Sequence, residues 1–175
     1  MPDSVVVLAA SVVVASFGWA AVAKVAGFDR WRRALTAYRL PHIESIARFG
    51  VPVAELGVAV LVIMGPLQVA GALVLGLLAG FSAAILRAQS LSGSRLPCGC
   101  FGSANERDFR LMLLRNASLA LPAGVLSVSG EGGLLDRLGS MSPADVVPLA
   151  LVVLAIGLLG WMIRGLTGSL SRGKA

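Results

Sequence analysis

Charge is scarce in this chain: Asp, Glu, Lys and Arg together make up 14% of 175 residues. A water-soluble domain usually carries about a quarter. With 57% hydrophobic residues and a mean hydropathy of +0.85, the polar surface cannot cover a soluble core of this size. A lipid bilayer is the solvent that fits. Histidine is almost absent, with only His42, and cysteine occurs twice, at Cys98 and Cys100. Neither a metal-protease helix nor a Ser/His/Asp arrangement can be assembled, and no Gly-rich phosphate loop appears. Few polar residues fall inside the apolar runs, which argues against transport by this chain alone. The net charge of +6 does not read as a nucleic-acid footprint, because the basic residues lie between apolar runs and do not cluster on one soluble face.

What is present is a series of apolar runs, and about 20 such residues cross the hydrocarbon as a helix. Spans are predicted over 5–27, 49–65, 67–86, 111–128 and 146–163, in a single integral membrane domain of all-α, polytopic bundle class. Gly65-Pro66 marks a tight turn between the second and third, and Pro122 kinks or interrupts the fourth. Only Asp3 precedes the first apolar run, and a signal peptide wants a positive leader, so this run reads as a retained span.

Lys and Arg are retained on the cytoplasmic side of a membrane. The 28–48 connection holds Arg30, Arg32, Arg33, Arg39 and Arg48. The 87–115 stretch holds Arg87, Arg95, Arg107, Arg110 and Arg115, and the tail adds Arg164, Arg172 and Lys174. Opposite them stands Arg137. Five spans put all three basic segments on one face, with the N-terminus outside and the C-terminus and cysteine loop in the cytoplasm of a cell (plasma or inner) membrane. Four spans sort the charges less cleanly.

Two connections carry their own patterns. In 28–48, Trp31, Leu35 and Tyr38 recur at helical spacing while the arginines point elsewhere, which predicts an interfacial amphipathic helix ended by Pro41. In the 87–110 loop, Ser103 to Glu106 has capping-box spacing and would start the next helix. Asn116-Ala-Ser118 matches a glycosylation acceptor by letter, on the predicted cytoplasmic side, where chance explains it.

Both cysteines lie in Pro97-Cys98-Gly99-Cys100-Phe101-Gly102. Residues i and i+2 can reach the roughly 4.4–6.8 Å separation between Cα atoms that a disulfide needs, with glycine supplying the turn. So short a ring would be strained, and strained disulfides are the labile, catalytic or regulatory ones. Three readings stand: a dithiol that cycles with a partner, a copper(I) or zinc site, or an inert tight turn. Two thiolates leave metal coordination incomplete even with His42 on the same face, so no metal site is assigned.

Lys24 and Glu55 are ionisable residues inside predicted spans, where charge is costly and faces the bundle interior or a polar cavity. They enter from the same side at comparable depth and can pair. Lys24 could instead snorkel, with Glu55 paired structurally. The functional alternative puts the two beside a site that tunes thiol or quinone chemistry, since an ammonium raises the thiolate fraction of a neighbouring cysteine.

The Pro97–Gly102 stretch between spans, Ala23-Lys24 closing the first span and Glu55 early in the second together resemble the MauE/DoxX-like membrane proteins, over roughly Val5 to Val128. The resemblance implies a four-helix membrane core, with a fifth span added here. It also implies a link to disulfide formation during methylamine dehydrogenase maturation, with Cys98 and Cys100 as the redox pair. Assisting an exported protein needs thiols on the oxidising side, whereas the charge count puts this loop in the cytoplasm. Either the loop folds back into the bundle, or it serves a cytoplasmic partner, or the orientation is reversed. The expected function is a membrane thiol–disulfide protein acting on another membrane or envelope protein, with a quinone as a possible acceptor. The alternative is a non-enzymatic accessory subunit of a larger envelope complex, as DoxX-like proteins also are.

Overall fold

The computed structural model describes residues 2–38, 44–92, 95–97 and 106–142. The fold is all-α and polytopic. Four helices among the described residues are long and apolar enough to cross a membrane: α1 (Asp3–Ala26), α3 (Glu44–Met64), α4 (Leu67–Ser92) and α5 (Phe109–Ser127). Two shorter helices, α2 (Phe28–Ala37) and α6 (Leu134–Ser140), and a two-stranded ribbon complete the order, β1 (Arg95–Pro97) with β2 (Glu106–Asp108). The predicted 146–163 span lies outside the described residues.

Each long helix buries one stripe. On α1 it is Val6, Ala10, Val13, Phe17, Ala20 and Lys24, spaced three and four apart as one face of a 3.6-residue helix requires. On α3 the stripe is Pro52, Glu55, Val58, Ala59 and Val62. These stripes meet Leu67, Ala70, Val74 and Leu78 of α4 and Ala123 and Leu126 of α5 in one continuous core. The opposite faces stay apolar and open, as with Trp19, Val53, Leu73 and Leu121, the surface that lipid covers.

Small residues set the closest approach. A Cβ added at Gly71 of α4 would lie 2.4 Å from the Ser127 nitrogen and 2.8 Å from the Ala123 carbonyl oxygen. Glycine there lets the α4 and α5 backbones touch, as membrane bundles use small residues to do. Across the same interface the Asn116 amide donates to Ser82 Oγ at 3.1 Å, and Ser82 donates to the Leu78 carbonyl. Asn116, which matched a glycosylation acceptor by letter, is thus buried inside the bundle.

Several boundaries differ from the sequence expectation. Helix α3 begins at Glu44, so residues 44–48 belong to it and not to the preceding connection. Helix α4 runs to Ser92, and the ribbon occupies part of the stretch read as loop. Glu106 sits in a strand, so the Ser103–Glu106 box does not start α5. The cap is Asp108, whose carboxylate accepts from the Arg110 N–H at 2.9 Å. Pro122 leaves α5 one continuous helix. Helix α6, unforeseen, is held where Arg137 bridges Asp3 and the Ser129 carbonyl.

Candidate functional site

Lys24 is the third residue from the end of α1, yet it is 1% exposed. Two features put it inside. It continues the buried stripe of α1, and the chain turns at Gly27 into α2, which covers the helix end. The apolar face of α2 does not lie free at a surface. Trp31, Ala34 and Leu35 pack on Ala47 and Val51, in the first two turns of α3. Tyr38 packs on Ile85, Ala88 and Met112 of α4 and α5. The amphipathic pattern was therefore real, but its partner is the bundle.

Trp31 is fixed by a backbone consequence of Pro52. Proline has no N–H, so the carbonyl four residues earlier loses its helical donor. That carbonyl belongs to Arg48, and the Trp31 indole N–H donates to it at 3.1 Å. A gap in the α3 hydrogen-bond ladder thus anchors α2 over the end of α1.

Beneath Trp31 the Lys24 ammonium donates to Glu55 Oε1 at 2.7 Å and Oε2 at 2.8 Å. It also lies 5.2 Å from the centre of the Trp31 ring, within cation–π range. Glu55 is 2% exposed. Lys24 does not snorkel: its charge is neutralised by a carboxylate inside the bundle. A buried pair of this kind is costly to desolvate, and each partner is far worse off alone.

The pair borders a cavity of about 380 Å³. Trp31 and Leu35 of α2 and Tyr38, which follows it, line the cavity together with Phe81 and Ile85 of α4. Arg87 and Arg115 bring two further cations to its lining, and Gly80, Ala83 and Ala84 border it on α4. Gly80 and Ala83, and Arg87 one turn on, are exposed, so the cavity opens sideways along this side of α4. A second cavity of about 20 Å³, lined by Ser16, Glu55 and Arg115 among others, is large enough for one water. The Arg115 guanidinium also reaches Asn116 Oδ1 at 3.3 Å, which ties the site to the α4–α5 polar contact.

Cys98, Cys100 and His42 lie outside the described residues. Their flanks are described: Pro97 and Glu106 pair across the antiparallel ribbon, with Arg95 opposite Asp108. The eight residues between those flanks include both cysteines. Strand β1 packs against the end of α4 and against α2, the helix that covers Lys24. Of the four sequence candidates, the structure joins Lys24 and Glu55. Sequence reasoning missed Trp31, Arg87 and Arg115 as cavity residues. The position of Arg115, one turn before half-buried Leu119 and beside Asn116, was the available signal. Among the described residues no three His, Cys, Asp or Glu side chains converge as a metal site.

The family model described as methylamine utilisation protein MauE matches residues 2–129, which takes in α1 to α5. No curated protein and no solved structure matches the chain.

Proposed function

Because this chain belongs to the MauE family, we propose that it is an accessory membrane protein of methylamine utilisation that exchanges disulfides with a partner through Cys98 and Cys100. The observation that carries this reading is the ribbon. Pairing of Pro97 with Glu106 ties together the two ends of the segment that holds both cysteines, beside the helix that covers the buried ion pair. A segment whose two described flanks are tied together beside the bundle suits exchange with a docked protein.

The chemistry runs in two balanced steps. A thiolate of the partner attacks one sulfur of the Cys98–Cys100 disulfide and forms a mixed disulfide. The second partner thiolate displaces it, leaving the partner oxidised and Cys98 and Cys100 as thiols. Two electrons and two protons then leave these thiols for an acceptor, which we take to be a quinone dissolved in the bilayer. The cysteine disulfide is restored and the quinone becomes a quinol.

The test is the redox state of the partner in cells, read by thiol alkylation and gel shift. Cys98→Ser and Cys100→Ser should each leave the partner reduced and abolish growth on methylamine. Unchanged partner oxidation and growth in both variants would refute the exchange. A stoichiometric complex surviving the double Ser change, with growth intact, would point to the purely structural subunit instead.

A further inference from the structure

We propose that the 380 Å³ cavity beside the Lys24–Glu55 pair is the seat of the membrane quinone, an assignment that rests on the thiol–disulfide reading above. Three observations converge on it. The first is access. Gly80 and Ala83 line the cavity and are exposed on α4, and a Cβ added at Gly80 meets nothing within 4 Å. The opening lies between small residues on the exposed, lipid-facing side of α4, so its occupant arrives from the bilayer.

The second is shape and polarity. An engineered cavity of roughly 150 Å³ holds a benzene. A volume of about 380 Å³ therefore takes a substituted ring and the start of a tail. Trp31, Tyr38 and Phe81 offer aromatic walls for such a ring.

The third is charge. Besides Lys24 and Glu55, the lining carries Arg87 and Arg115. Lysine and arginine are donors only, so a ligand head with acceptor oxygens suits this lining. Reduction of a quinone places two electrons on those oxygens. Nearby fixed cations stabilise that developing charge in a low-dielectric site. The two protons come from the two cysteine thiols, so dithiol and quinone become disulfide and quinol with atoms and electrons balanced. An anionic lipid shares the apolar body and the acceptor oxygens, but it cannot take electrons from a dithiol.

The test uses the full chain in lipid nanodiscs with Cys98→Ser and Cys100→Ser, so that binding is read without thiol chemistry. Trp19→Phe and Trp161→Phe leave Trp31 as the reporter. Decyl-ubiquinone should quench Trp31 fluorescence along a saturable curve. Gly80→Leu, which fills the opening, should raise the midpoint by about tenfold or more, while thermal unfolding shows the variant folded. Linear quenching that Gly80→Leu does not alter means partition into lipid and overturns the assignment. So does oleate raising the melting temperature while the quinone neither quenches saturably nor shifts it, which would give the site to an anionic lipid. Because the cysteines are absent, failure here leaves the exchange reading standing. Saturable binding alongside an unchanged partner in the cysteine variants would do the reverse.

Discussion

The Lys24 ammonium and the Glu55 carboxylate, 31 residues apart in sequence on α1 and α3, meet at 2.7 and 2.8 Å, each almost wholly buried. The pair is what lets two charged residues occupy the core stripes of α1 and α3. Removing one partner strands the other in an apolar bundle, which costs about 3–5 kcal/mol. Lys24→Met or Glu55→Gln alone should therefore lower the unfolding temperature steeply. The double replacement Lys24→Met with Glu55→Leu should recover most of that loss, since a well-packed apolar pair is often neutral to stability. A thermal-unfolding cycle in nanodiscs measures this. Additive losses would mean that the two charges do not support one another.

The Trp31–Arg48 hydrogen bond makes a second, independent forecast. In the native chain Trp31→Phe leaves the Arg48 carbonyl without the donor that Pro52 cannot supply, at a cost of about 1–3 kcal/mol. Pro52→Ala returns a helical N–H to that carbonyl. In the Pro52→Ala background Trp31→Phe should cost less, with a coupling of about 1 kcal/mol. Equal losses in both backgrounds would show that Trp31 acts by packing alone.

Much of this was legible in the residues, and the rest was not for physical reasons. The residues carry Lys24 in line with Val13, Phe17 and Ala20 at threes and fours, and Glu55 in line with Val58 and Val62, a signal that a reading by depth does not use. Depth along a span, used alone, allowed Lys24 to snorkel. What depth cannot convey is that α2 folds back over the end of α1. Trp31, Leu35 and Tyr38 show the same periodicity whether they face lipid or protein, so the amphipathic pattern left their partner open. The ribbon was invisible because three-residue strands such as Arg95–Pro97 are too short to show alternation. Asp108 won the α5 cap from Ser103 because strand pairing keeps Glu106 and Arg107 extended until the residue before Phe109.

Gly71 and Gly76 test the backbone contact between α4 and α5. Gly71→Ala places a methyl against the Ser127 nitrogen and the Ala123 carbonyl. Backbone on both sides cannot yield, so the helices must separate, at about 1–3 kcal/mol. Gly76→Ala, where nothing lies within 4 Å, should be neutral or slightly stabilising through helix propensity. Thermal unfolding of the two variants under one condition distinguishes a helix contact from a general intolerance of side chains on α4.

Charge predicts an orientation in the membrane that is open to a direct measurement. The 28–48 and 87–115 stretches each hold five arginines, counting those at the facing ends of α3, α4 and α5, whereas the opposite connection, between α5 and the chain beyond α6, carries Arg137 alone. Such an imbalance predicts that α2, the ribbon and the cysteine pair face the cytoplasm. In the Cys98→Ser/Cys100→Ser background, Gly139→Cys supplies a thiol at an exposed position on α6, and Arg32→Cys supplies one on the exposed face of α2. A membrane-impermeant maleimide should label Gly139→Cys in intact cells. It should reach Arg32→Cys, and the native cysteines of the unmodified chain, only after permeabilisation. The reverse pattern would invert the bundle and place Cys98 and Cys100 on the exported side. In that case the arginines around α2 would not set the topology, and Arg32→Ala with Arg33→Ala would leave the orientation unchanged.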